Sequence, residues 1–233
     1  MLPEIKFSNG TLEALKWVGL VAMTGDHINK YLFNATLPAL YELGRLALPI
    51  FVFVLAYNLA HPWALENGAY IRTIKRLLLF GALASVPYIA LGGVWNSWWP
   101  LNILFTLLVA TVVLYLIEKG TTLALVASGV MIAIGGGLVE FWWPAVIGAV
   151  AVWAYCKRPS TVAALVGVVA CASLVVINKN WWALAAIPVI ATAALVKIPV
   201  PRMRWVFYVY YPLHLAALWL IRIPMSRAGY IFF

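Results

Sequence analysis

The sequence predicts an all-α integral membrane protein: a polytopic bundle of about nine transmembrane helices, forming one domain over residues 1–233. Three observations carry that reading. Hydrophobic residues make up 65% of the chain and charged residues only 10%, against roughly 25% charged in an ordinary soluble domain. Mean hydropathy is +0.98, which implies more apolar surface than a soluble core of this size can hide. The chain also holds 12 Trp, 11 Tyr and 10 Phe, residues that gather at membrane interfaces.

A spanning helix needs about 20 mostly apolar residues. Taken in order, the candidate spans are 12–33, 40–60, 77–95, 98–117, 121–139, 141–156, 160–177, 181–196 and 205–223. The sixth and eighth are short and rely on Trp142-Trp143 and Trp181-Trp182 to reach an interface. Connections are short, with Pro or Gly at Pro62, Gly68, Gly92-Gly93, Pro159, Pro199 and Pro201. The opening MLPEIKFSNG has acidic residues and no small-residue cleavage site after an apolar core, so it is not read as a signal peptide. Gly135-Gly136-Gly137 reads as close helix packing or a helix end. Cys156 and Cys171 have neither disulfide-framework nor metal-site spacing and read as small buried hydrophobes; no metal is expected.

The net charge of +9 would suit nucleic acid in a soluble protein. Here no separate basic domain exists, and the charges read as orientation signals in short loops; nucleic acid is not an expected partner. With the N-terminus cytoplasmic, the inner side holds Lys6, Lys16, Arg72, Lys75, Arg76, Lys119, Lys157, Arg158, Lys197, Arg202 and Arg204. The outer side holds only Lys30, Lys179, Arg222 and Arg227. The remaining Arg45 lies inside a span. An odd number of spans, N-terminus in and C-terminus out, follows.

Ionisable groups in hydrocarbon cost at least ~2.5–3.5 kcal/mol, so each needs a reason. Asp26 and His27 lie in the first span, Arg45 in the second and His214 in the ninth, with the amide of Asn102 in the fourth. At a rise of about 1.5 Å per residue, all of them fall in the outer half or near the midplane, where one polar cavity can gather them. Adjacent residues on a helix point about 100° apart, so Asp26 is poorly placed to orient His27. Arg45, at matching depth, is the better partner for Asp26. His27 is then left without an obvious partner and available for proton transfer. Lys16 lies three turns before His27 on the same helix face, ~16 Å away. The basic loop Arg72, Lys75, Arg76, with Lys157-Arg158 and Arg202/Arg204, either receives a polyanion such as nucleotide phosphates or only fixes topology and touches anionic lipid. His214 either lines the site or only bonds a tyrosine or a carbonyl freed by Pro212. Asn102 is alternatively interhelical glue, and the Asp26–Arg45 pair alternatively structural.

Several stretches together resemble one family. LKWVGLVAMTGDHINKYLF (15–33), GRLALPIFVFVLAYNLA (44–60) and NILFTLL (102–108), followed by YYPLHL (211–216), resemble the TraX family of integral membrane proteins associated with conjugative pilus biogenesis. The resemblance implies N-terminal acetylation of a pilin subunit in the bacterial inner membrane, with acetyl-CoA as donor. A basic residue, ten intervening residues and a His (Lys16 to His27) is also similar to a motif of transmembrane acyltransferases that acetylate surface glycans. By that resemblance His27 is the catalytic candidate, and Lys16, Asp26, Arg45 and Asn102 are motif positions. The expected mechanism takes acetyl-CoA from the cytoplasmic side, with its phosphates on Arg72, Lys75, Arg76, Arg202 or Arg204. His27 is the general base, and Arg45 or Asn102 steadies the oxyanion. A glycan or lipid hydroxyl acceptor, a proton-coupled transporter and a non-catalytic pilus assembly factor are the rival readings.

Overall fold

The computed structural model describes residues 4–93 and 98–232. Among them run nine helices: α1 (Asn9–Leu32), α2 (Pro38–Leu59), α3 (Ala69–Ala90), α4 (Ile103–Lys119), α5 (Thr122–Leu138), α6 (Trp142–Lys157), α7 (Thr161–Asn178), α8 (Trp182–Ala193) and α9 (Val206–Arg227). Four of them, α2, α3, α7 and α9, are long and apolar enough to cross a membrane. The 24-residue α1 is interrupted by Glu13, Lys16, Asp26 and Lys30. At 1.5 Å per residue, α8 reaches only ~18 Å, short of the ~30 Å hydrocarbon core. The outward faces are apolar: Leu78, Leu83 and Val86 of α3, and Val162, Leu165 and Val169 of α7, are all exposed. That surface suits lipid and marks a membrane protein.

Local chemistry explains the helix ends. Ser8, Asn102 and Ser160 cap α1, α4 and α7, each side-chain oxygen accepting an amide N–H at 3.1 Å. A capped start satisfies one of the donors that a helix leaves free. Gly136 of α5 packs against Trp143, whose Cδ1 lies 2.7 Å from where a Cβ would stand, so the glycine run serves close packing.

The third span differs from its expected bounds. It begins at Ala69, not residue 77, because Arg72, Lys75 and Arg76 belong to its first two turns and not to a loop. Val94 and Trp95, at its expected end, lie outside the described residues.

Two sets of contacts tie the bundle together at opposite ends. At the end holding the N-terminus, Thr11 Oγ1 donates to Val196 O at 2.8 Å, Met203 N donates to Glu13 Oε1 at 2.8 Å, and Lys157 pairs with Glu118 at 2.5 Å. At the other end, Tyr41 donates to Asn178 O at 2.7 Å, Arg222 to Leu91 O at 3.2 Å and Asn34 to Ile231 O at 2.8 Å. The contacts α1–α2, α2–α4, α4–α3, α3–α9 and α9–α1 close a ring of five helices. The remaining helices pack outside it; α6 lies against α2 and α4 through Ala145, Val146 and Ala149.

Candidate active site

The ring encloses a cavity of about 1140 Å³ that runs between the two ends of the bundle. At the end holding the N-terminus its wall carries Lys16, Arg72, Arg76, Arg202 and Arg204. Arg72 and Arg76 are one turn apart on α3, so one face presents both; Arg76 also sits 4.3 Å over the Trp205 ring. Lys16 pairs with Glu13 at 2.5 Å and lies 4.3 Å over Phe207. The middle of the wall is apolar, with Met23, Leu48, Phe51, Leu55, Leu77 and Leu104. The far end carries Asp26, His27, Lys30, Arg45, Tyr88 and Glu140.

Asp26 and Arg45 form the expected ion pair, between Oδ2 and Nη2. Its geometry is built by a break in α2. The amides of Arg45 and Leu46 each bond three residues back, to Glu42 O and Leu43 O at 3.1 Å, before regular helix resumes at Ala47. Gly44 makes the approach possible, since a Cβ there would stand 2.4 Å from Asp26 Cβ. The guanidinium is further held by Tyr41 O at 3.0 Å from Nε and Asn178 Oδ1 at 3.3 Å from Nη1.

The expectation that His27 has no partner is corrected. His214 comes from α9 at the same depth, and its Nε2 lies 2.7 Å from His27 Nδ1. His214 Nδ1 lies 3.1 Å from the Tyr210 carbonyl. A carbonyl only accepts, so in neutral His214 the proton is on Nδ1 and Nε2 has the lone pair. His27 must then donate from Nδ1, which leaves the lone pair on its Nε2. One backbone carbonyl thereby fixes both tautomers. Tyr31 and Tyr211 flank His27, with ring centroids at 5.6 and 6.3 Å. His214 itself is buried behind His27 and is not on the cavity wall.

Two further candidates sit elsewhere than expected. Asn102 is buried as the cap of α4, with Nδ2 donating to Gly81 O at 3.0 Å and Ser85 Oγ at 3.1 Å. Its amide donors are taken up by those bonds, and it does not line the cavity. Lys75 is exposed and off the wall, unlike its neighbours Arg72 and Arg76.

A family model described as TraX protein matches residues 11–222, a span that includes every residue on the cavity wall. The chain belongs to the TraX family. No curated protein and no solved structure matches it.

This TraX chain also places in the cavity a residue that sequence reasoning passed over. Glu140 lies in the turn between α5 and α6, outside the helices. Its N–H donates to Leu101 O at 2.9 Å and its carbonyl accepts from Thr106 Oγ1 at 2.8 Å, which clamps the turn to the start of α4. Phe141 and Trp142 adopt φ of +61° and +48°, a region that bulky residues rarely occupy. Burial pushes the Glu140 carboxyl up to about 7, against the charge of Lys30, the Tyr88 hydroxyl and the Ile103 N–H, which favour the carboxylate. The only sequence signal was a lone acid beside Phe141-Trp142-Trp143 at a span junction, which reads as an ordinary loop residue.

Proposed function

We propose that this protein is a membrane-embedded acetyltransferase that moves an acetyl group from acetyl-CoA to the N-terminal amine of a membrane pilin subunit. One observation supports it above the others: a single cavity joins a cationic mouth to a His with a free lone pair. The mouth fits the donor's chemistry. Five cations line it, and among the described residues the only acids on the cavity wall, Asp26 and Glu140, are at the far end. The apolar middle suits a long uncharged arm. Arg72, Arg76, Arg202 and Arg204 hold the phosphates of acetyl-CoA, which supplies the activated thioester carbonyl.

His27 Nε2 takes the proton from the neutral amine as its nitrogen bonds to the acetyl carbon. The carbon–sulfur bond breaks and the proton passes to the departing thiol, so the His returns to its starting form. Through the Nδ1 hydrogen bond, His214 keeps the base in the reactive tautomer and steadies the imidazolium while it exists. The N–H groups of Arg45 not used by Asp26, Asn178 and Tyr41 steady the oxyanion.

By the excess of Lys and Arg, the basic mouth is the cytoplasmic end and the N-terminus is inside; the resemblance to the TraX family implies the bacterial inner membrane. The helices then alternate in direction, the short α8 reaching only part-way, and the His27 chamber lies toward the outer face. Transfer is tested by incubating detergent-purified protein with labelled acetyl-CoA and mature pilin. Wild type labels the pilin N-terminus and His27→Ala does not. Full activity in His27→Ala overturns its role; no binding of acetyl-CoA overturns the enzyme reading.

A further inference from the structure

We infer that Glu140 forms a subsite for the acceptor's ammonium group, so that the far end of the cavity selects cationic amines over hydroxyl acceptors and over the acetylated product. The inference rests on the acetyltransferase reading for its biological meaning, but the site itself stands on geometry.

Four ion pairs occur among the described residues, and none includes Glu140. The neighbouring acid, Asp26, is already neutralised by Arg45. Glu140 therefore gives the chamber a carboxylate with no salt-bridge partner. A carboxylate has about four acceptor positions. Those of Glu140 receive the Ile103 N–H and the Tyr88 hydroxyl, the latter at 3.3 Å. The single Tyr88 proton is shared with the nearer Pro100 carbonyl at 2.9 Å, so that bond is a weak one. Acceptor capacity is left over on a cavity wall.

The cation that acts most strongly on Glu140 is no substitute partner. Lys30 interacts electrostatically with both Glu140 and Asp26, but its Nζ donates to Gly93 O at 3.3 Å and lies 4.9 Å over the Tyr31 ring. A primary ammonium brings three N–H donors and one charge, which match what Glu140 has unused. Before attack the bound ammonium gives one proton to the Glu140 carboxylate and becomes the neutral amine. His27 takes the second as the carbon–nitrogen bond forms and passes it to the thiol, and Glu140 later returns its proton to water. Acetylation therefore removes the charge and two of the three N–H groups. The product amide thus loses the attraction that held the substrate, which favours its release.

The clamped turn makes the position a rigid one. Leu101 N donates to Leu138 O at 2.8 Å and Glu140 N to Leu101 O at 2.9 Å, so the carboxylate is anchored at the start of α4. That helix start adds partial positive charge, which favours the carboxylate form against its burial without satisfying it.

The test measures binding directly, apart from transfer. The probe is a short synthetic peptide with a free N-terminal amine, and its N-acetylated twin is the control. Full-length wild type binds the free-amine peptide at least tenfold more tightly than the acetylated one. Glu140→Gln, which keeps the shape and loses the charge, abolishes that preference, and Glu140→Asp restores part of it. Equal affinity of wild type and Glu140→Gln for the free-amine peptide overturns the inference. If Glu140→Gln does not fold, Lys30→Met gives a second reading. Removing the competing cation tightens amine binding, and unchanged or weaker binding overturns the inference. Loss of acetyl transfer in wild type, with the amine preference intact, fails the acetyltransferase reading alone.

Discussion

At the residue scale the chemistry rests on a histidine pair whose protons are placed by one carbonyl. His214→Phe keeps a ring of similar size but removes the Nε2 acceptor. The expected result is a fall in kcat of about 10² or more, with the donor KM unchanged, measured by steady-state acetyl transfer. His214→Gln, whose Oε1 can accept from His27 Nδ1, recovers part of the rate; a merely structural role for His214 predicts no such recovery. Gly44→Ala tests the second pair. The new Cβ meets Asp26 Cβ at 2.4 Å, so α1 and α2 must part and the Asp26–Arg45 pair must break. The pair is partly buried, so its loss costs less than the about 3–5 kcal/mol of a fully buried one, which a thermal unfolding scan still reads as a loss of Tm. The sequence made Asp26, His27 and Arg45 visible because ionisable groups in apolar spans are rare. It hid the partnership of His27, because residues 27 and 214 meet only through the packing of α9 on α1, which no local pattern encodes. It hid Glu140 because a carboxylate at a span junction looks solvated until the clamp to α4 turns it into the half-buried cavity wall.

At the scale of elements, α3 and the α5–α6 turn each carry a prediction. The spans were legible from hydropathy, and most helix ends fall within a few residues of it. The start of α3 was not, because three basic residues within five positions look like a loop. The helix instead continues through them and turns two of the three into the cavity. Arg72→Gln combined with Arg204→Gln raises the acetyl-CoA KM about tenfold or more at nearly constant kcat, since charge-assisted hydrogen bonds contribute ~1.5–3 kcal/mol each. Lys75→Gln, from the same turns but off the wall, leaves that KM unchanged. The α5–α6 turn predicts a pH effect. Burial moves the Glu140 carboxyl up from its ordinary value to about 7, so it is charged above that pH and protonated below it. The groups facing it are Lys30 and Tyr31 from α1, Arg45 from α2, Tyr88 from α3, the Ile103 N–H from α4 and Tyr211 from α9. The acceptor KM therefore rises as pH falls from about 8 to 6, and Glu140→Gln loses that dependence. A limb that persists in Glu140→Gln assigns the titration to another group.

At the scale of the whole molecule, the five-helix ring explains how distant charges serve one reaction. Lys16 and His27 share a face of α1, and their separation of ~16 Å is the distance the cavity bridges between its cationic mouth and its proton-handling chamber. Composition made the membrane, the helices and the two-ended charge distribution legible. It did not show the ring, because contacts such as α9–α3 and α9–α1 join segments far apart in sequence. The central claim is transfer through the bundle from one face of the membrane to the other, and sidedness tests it most directly. Protein is reconstituted into sealed vesicles with an amine acceptor peptide trapped inside and membrane-impermeant labelled acetyl-CoA added outside. Acetylated peptide in the lumen with wild type, and none with His27→Ala, is the expected result. Acetylation only when donor and acceptor share the same side would contradict it.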